Sequence, residues 1–290
     1  MGADLTSFSL GRVPMVLMYH CIAESPEDPY GMCVTPARFA EQMAWLSDKG
    51  LQGVSISELV RAMRVGRERG LVGITFDDGY VGLLENALPA LQRHDFTATM
   101  YIISGLLGGT NEWDEGPVRP LMSADEVLKL DAAGMEIGSH SASHIRLAGV
   151  GAERLKTEVS DSKAQLSELL GHPVRGFAYP WGTMDTAARQ AVRDAGYDHA
   201  CAVETPIGDL GLMALPRIIP LQHDDRRRME AKKLFFMSYT AYRGTYRQLS
   251  YNPRLRAVKR RLYALAGHNP SREVTPGSSR PTTDASWTGR

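Results

Sequence analysis

Cysteine is scarce in this chain: three residues in 290, at Cys21, Cys33 and Cys201, with no C-x-x-C spacing among them. An odd count without paired spacing argues against a disulfide framework and against a zinc site built from thiolates. A Cys21–Cys33 bridge stays open, although free thiols are the expectation. An excess of one charge is missing too, since Lys plus Arg and Asp plus Glu number 33 each. Net charge therefore gives no reason to expect a nucleic-acid partner, and no nucleic-acid-binding motif is present. Long apolar runs are absent as well. None approaches the ~20 residues of a membrane span, and residues 1–12 hold no apolar segment of signal-peptide length. The expectation is a soluble cytoplasmic protein, with peripheral membrane contact as an option. No internal repeat is visible.

What the chain does have is a succession of short apolar runs alternating with helical patterns. Leu71 to Phe76 is short, β-branched and bounded by glycines, which predicts a buried strand. Similar runs lie at Val13–Tyr19, Val54–Ile56, Thr97–Ile103, Met135–Ser139, Val174–Tyr179, His199–Val203 and near Leu215–Leu221. Helices are predicted between them. One starts at Thr35-Pro36, one at Ser57-Glu58, one at Ser123 with an acidic first turn, and one spans Glu153 to Leu170. Val81 to Arg93 is helical in pattern but interrupted by Pro89. Ser104 to Met122 is glycine-rich and aperiodic, a loop carrying an isolated Trp113. Such alternation predicts an α/β fold with a parallel sheet or barrel and its βα loops on one face. The chain divides into an arm at 1–12, one domain at 13–225, a basic aromatic-rich extension at 226–266 and a disordered tail at 267–290.

Asp77 and Asp78 follow the Leu71–Phe76 strand directly. Two adjacent carboxylates at the end of a buried strand repel each other and lose solvation, and a bound cation would remove that cost. The plainer reading of Asp-Asp-Gly is a turn. His140-Ser141-Ala142-Ser143-His144 sets two imidazoles four residues apart; on a helix they would share one face within about 6 Å and could share a metal. Together with the aspartates they make a two-His-one-carboxylate site the better explanation. A carboxylate cannot activate free water effectively, whereas a coordinated water, with a pKa near 7, is within its reach. One aspartate would then bind the cation while its neighbour takes the proton.

Thr75-Phe76-Asp77-Asp78-Gly79, His140-Ser141-Ala142-Ser143-His144 and Phe177-Ala178-Tyr179-Pro180-Trp181-Gly182 resemble three successive motifs of the polysaccharide deacetylases, the NodB homology domain of carbohydrate esterase family 4. The resemblance spans roughly Val13 to Leu221. It implies a distorted (β/α) barrel and metal-dependent removal of N-acetyl groups from an N-acetylglucosamine-type polysaccharide or glycolipid. It further implies Asp77 as general base, and Asp78, His140 and His144 as ligands of one divalent ion, zinc by preference. The backbone N–H of Trp181 would stabilise the oxyanion, and the Tyr179 and Trp181 rings would flank a sugar, with core packing as the alternative for both. Two departures stand out. Ala178 occupies a position where the family often has arginine, Arg175 being a surface residue, and the D-x-x-D-W motif is absent.

The general acid has two candidates, His20 after Val16–Tyr19 and His223 after Ile218–Gln222. His20 is favoured, because Pro220 spoils the second as a central strand. An N-terminal histidine strand resembles the branch that deacetylates poly-N-acetylglucosamine, in which this strand is permuted to the front. His94, His172 and His199 match no motif and are expected at the surface or in loops. Two other functions stay open, a non-catalytic glycan-binding relative and a different amide or ester hydrolase. The cations and rings after Arg226 fit either a membrane-surface element or, preferably, a solvated helix packing its aromatics on the barrel.

Overall fold

The computed structural model describes residues 13–25, 27–114, 116–203 and 211–251, with side chains through Ser238. The expected arm and tail lie outside the described residues. The strands are short and almost wholly buried: β1 (Val16–Tyr19), β2 (Cys21–Ile22), β3 (Cys33–Val34), β4 (Gln52–Val54), β5 (Leu71–Phe76), β6 (Thr99–Ile102), β7 (Glu136–Ser139), β8 (Gly176–Ala178), β9 (His199–Ala202) and β10 (Leu215–Pro216). The helices are α1 (Pro36–Asp48), α2 (Ile56–Arg64), α3 (Leu88–Gln92), α4 (Ala124–Ala132), α5 (Ala152–Lys156), α6 (Ser162–Leu170), α7 (Thr186–Asp194) and α8 (Arg226–Tyr251).

All pairings in the main sheet are parallel, in the order β1-β5-β6-β7-β8-β9-β10, with β4 beside the first half of β5. Beyond β10, Ile218 pairs with Leu17; Met18 N–H donates to Ile218 O and Ile218 N–H to Val16 O, both at 2.8 Å. The sheet thus comes close to a closed barrel, as anticipated. β2 and β3 form a separate ribbon in which Cys21 faces Cys33, and both thiols are free.

Successive side chains on a strand point to opposite faces, so alternate residues line the barrel axis. Val16 (β1), Tyr101 (β6), Ala178 (β8), Cys201 (β9) and Leu215 (β10) pack together with the apolar face of α2. Gly138 of β7 makes room for this layer, because a Cβ there would lie 2.5 Å from the Tyr101 ring. The intervening residues, such as Leu17, Phe76, Phe177 and Tyr179, face outward and form the larger core beneath the helices.

Capping chemistry sets the helix starts. Thr35 and Pro36 open α1 as expected, and Ser123 with Glu126 forms a capping box on α4. The start of α2 differs from expectation: Ser55, not Ser57, is the N-cap, in a capping box with Glu58. The predicted helix over 153–170 is interrupted by a π turn at Thr157–Asp161, and the one over 81–93 by a π turn at Leu83–Ala87.

His199 is not at the surface. It starts β9, is wholly buried, and its Nε2 lies 3.1 Å from both Glu136 Oε1 and Ser57 Oγ. The two-residue period puts it inward, two positions before Cys201, in space left by Gly176, whose Cβ would meet the ring at 2.4 Å. His172, by contrast, is half exposed and pairs with Asp131 at 3.0 Å.

The chain falls into two compact units, Met1–Gly244 and Thr245–Arg290. The first therefore includes the start of α8. Asp225 accepts from the Arg227 and Arg228 N–H groups, Met229 and Phe236 are buried, and Lys49–Glu230 (3.2 Å) and Lys232–Asp224 pairs tie these turns down. No helix among the described residues is long and apolar enough to cross a membrane.

Burial opposes ionisation of Glu136, but the adjacent His199 imidazole and hydrogen bonds from Ser57 and Thr99 hold its pKa at about 2, below the ordinary 4.5. Its stabilising contribution is therefore full above the ordinary value and fades as pH falls towards the folded one. The stability advantage of the wild type over Glu136→Gln, read by urea unfolding, should shrink by about 2 kcal/mol between about pH 6 and about pH 3.

Candidate active site

The same alternation that builds the barrel assembles the site. Met18, Thr75, Tyr101, Gly138 and Ala178 face the axis, so two residues further on His20, Asp77 and His140 do too, at the C-terminal rim where α/β folds place their chemistry. A bond from Asp77 N–H to Tyr19 O (2.9 Å) holds the ends of β1 and β5 level. Arg217, just past β10, reaches past the neighbouring β1 and binds Asp77 with both prongs, Nη1 to Oδ1 at 2.6 Å and Nη2 to Oδ2 at 2.7 Å. Its side chain is completely buried, as Asp77 nearly is. Burial raises the Asp77 pKa, but the Arg217 guanidinium and then His140 outweigh it and leave the value below the carboxylate range.

Asp78 leaves the strand direction. Its φ is +72°, and Gly79 follows at +81°, which turns the second carboxylate sideways under the 140–144 segment. That segment is a loop and not the helix its spacing allows. Ser141 and His144 both have positive φ, +68° and +59°. Trp181 is left-handed as well, at +62°. Backbone of this kind costs on the order of 1 kcal/mol per residue and persists only where its surroundings over-determine it. Here they do. His140 N–H donates to Ile102 O, Ser141 N–H to Ser139 Oγ, Ala142 and Ser143 N–H to Glu158, and His144 N–H to Ser141 Oγ. The carbonyls of Ser141 and Ala142 accept from Ser104 and Gly105, and the Trp181 indole N–H donates to His144 O at 3.1 Å.

The outcome is a convergence on Asp78 Oδ1. His140 Nε2 and His144 Nε2 each lie 3.3 Å from it. His140 Nδ1 donates to Ala178 O at 2.9 Å, which leaves Nε2 with its lone pair directed at the site. Neither imidazole meets Oδ1 along a hydrogen-bond line, so this buried oxygen has no donor among the described residues. An orphaned anionic oxygen beside two imidazole nitrogens is what a cation resolves. Tetrahedral coordination with bonds of 2.0–2.2 Å puts ligand atoms about 3.3 Å apart, the spacing observed between Asp78 Oδ1 and each imidazole nitrogen. Asp78, His140 and His144 fit a divalent metal, and among the described residues no other His/Cys/Asp/Glu trio gathers this way.

Of the other expected residues, His20 lines the same cavity, of about 240 Å³. Burial lowers its pKa against the pull of Asp78 and Asp77. His223 does not join them. Its side chain is 63% exposed, because the chain turns outward after Ile219 and buries Asp224 in its place, with Gln42 binding Leu221 O and Asp224 O. Trp181 lines the cavity and is 41% exposed. Tyr179 does not line it. One position from the inward-facing Ala178, it points into the outer core, wholly buried, and its hydroxyl donates to Met213 O at 3.1 Å. Two residues were missed. Trp113, in the glycine-rich loop, packs on His144 with ring centroids 4.4 Å apart. Arg217 is the buried cation paired with Asp77; its only signal was a charge inside the apolar run Leu215-Pro216-Arg217-Ile218-Ile219.

The parallel barrel thus carries an Asp-His-His cluster at its C-terminal rim, beside a second, ion-paired aspartate. Residues 64–200 match the polysaccharide deacetylase family model. It is 26% identical over 207 residues to YxkH of Bacillus subtilis (strain 168), 70% of either chain, a protein whose own assignment as a polysaccharide deacetylase is provisional. A poly-beta-1,6-N-acetyl-D-glucosamine N-deacetylase of Staphylococcus aureus (strain MSSA476) is 22% identical over 181 residues, covering 59% of this chain and 61% of that one. The fold matches the deacetylase PplD of Streptococcus pyogenes, solved in complex with acetate, at a TM-score of 0.65 and 24% identity over 76% of this chain and 97% of that one.

Removing the counter-charge from a buried carboxylate destabilises by about 3–5 kcal/mol. Arg217→Met should lose that much in urea unfolding at neutral pH, and adding Asp77→Asn should recover most of it. A double variant no more stable than Arg217→Met would refute the pairing.

Proposed function

We propose that the protein hydrolyses the N-acetyl group of N-acetylglucosamine residues in a polysaccharide or glycolipid and releases acetate, using one divalent ion, zinc by preference. The observation that carries this reading is the convergence of His140 and His144 on the donorless Asp78 Oδ1, next to an Asp77 held ionised by Arg217. The names of the relatives supply the substrate class. When bound, the ion polarises the acetamide carbonyl and makes water a better acid.

The protein's own groups do the rest. Asp77 is fixed as a carboxylate and takes the proton of the attacking water. Its low pKa makes it a weak base, which is why the site needs the metal's help. His20, on the same rim, is placed to pass the proton that Asp77 takes from water on to the departing amine. The Trp181 backbone N–H faces the oxygen that gains charge, and the Trp181 and Trp113 rings offer flat apolar walls to a sugar. Water adds to the carbonyl carbon, the C–N bond breaks, and the products are acetate and a free amine. Arg217 holds Asp77 ionised although Ala178 offers no arginine, which weighs against the non-catalytic reading.

Asp77→Asn should abolish acetate release from β-1,6-linked N-acetylglucosamine oligomers while metal analysis still finds one ion per chain. Retained activity would sink the assignment of the base. General-acid contributions run to about 10²–10⁴-fold. His20→Ala should lose that much rate, whereas His223→Ala should match the wild type; the reverse pattern would exchange their roles.

A further inference from the structure

We infer that Glu158 is a positioning residue for the metal centre, holding the 140–144 loop in the one shape that aims both imidazoles at Asp78. The inference rests on the metal reading proposed above. Glu158 lies in the π turn at Thr157–Asp161 and its side chain is fully buried. A buried carboxylate on a helix is expensive unless donors surround it, and three of the donors here come from the stretch between the two histidines. Ala142 N–H and Ser143 N–H bind Oε2 at 3.1 and 2.9 Å, and Ser143 Oγ binds Oε1 at 2.6 Å. The fourth is Arg154, at 2.7 Å from Oε1, which also donates to Ser143 Oγ at 2.9 Å.

The π turn sits where this contact is made. π turns are rare and tend to mark places where a helix is re-aimed for use. This one is supported from outside, since Ser162 Oγ and Tyr197 Oη both donate to Val159 O at 3.0 Å. Within the loop, Ser141 and His144 occupy left-handed backbone that non-glycine residues avoid. Two consecutive N–H groups caught by one carboxylate on one side, and two carbonyls held by Ser104 and Gly105 on the other, keep it there. Gly105 allows that approach, because a Cβ would lie 2.5 Å from Ala142 O. Without Glu158, Ala142 and Ser143 N–H lose their acceptor, and the loop is free to relax its left-handed residues and swing His144 away.

The test is Co²⁺ titration of the metal-free full chain against a chromophoric chelator, for wild type, Glu158→Ala, Glu158→Gln and Ser143→Ala. Supporting groups of this kind change metal affinity by about 10–100-fold. Glu158→Ala should bind Co²⁺ that much more weakly, with an altered Co²⁺ absorption spectrum. Amide exchange should quicken at Ala142 and Ser143 but not in β6 or β7. Glu158→Gln keeps an oxygen for the two N–H groups and should regain most of the affinity. A folded Glu158→Ala that binds within twofold of wild type with the same spectrum overturns the inference, whatever its urea midpoint. Should that variant not fold, Ser143→Ala decides: several-fold weakening supports the role and wild-type affinity refutes it. A wild type that takes up no Co²⁺ overturns the metal reading, and this inference with it.

Discussion

Two neighbouring carboxylates at the end of one buried strand constrain everything around them. Each needs positive charge, and the barrel delivers it from opposite directions. Asp77 keeps the strand's alternation, faces the axis and meets Arg217 from the far edge of the sheet. Asp78 breaks the alternation through a left-handed residue and meets two imidazoles at the adjacent rim. Adjacent side chains on a straight strand would point to opposite faces. The backbone turn at Asp78 is what brings a base and a metal ligand into one cavity.

That division accounts for the uneven firmness of the site. Arg217 answers both Asp77 oxygens with one bond each, so this carboxylate is satisfied by the chain itself. The Asp78 half is organised but unresolved: strained loops, a fixed His140 tautomer and an oxygen without a donor. Four left-handed non-glycine residues, Asp78, Ser141, His144 and Trp181, surround this one point. Strain concentrated there is consistent with a site shaped for a ligand.

Much of this was legible in the sequence, wherever the signal was local. Strand runs, Thr35 and Ser123 caps and the two acidic and histidine motifs depend on near neighbours, and they located the site and the barrel. Facing and long-range pairing were less legible. Tyr179 shares a motif with Trp181, yet the two-residue period turns it into the outer core. His199 matched no motif, and its partner Glu136 stands 63 positions away in sequence. Arg217 binds a residue 140 positions distant, across a closure that depends on the whole barrel forming. The spacing of His140 and His144 fits a helix as well as a loop, and only the Glu158 and Ser104 contacts decide between them.

The central claim is that Asp78, His140 and His144 close on one cation. Anomalous diffraction at the zinc edge, from crystals grown with one equivalent of Zn²⁺, tests it most directly. The account predicts a single strong peak about 2.0–2.2 Å from Asp78 Oδ1, His140 Nε2 and His144 Nε2. Zinc lodged elsewhere, or no peak between those three atoms, would contradict it.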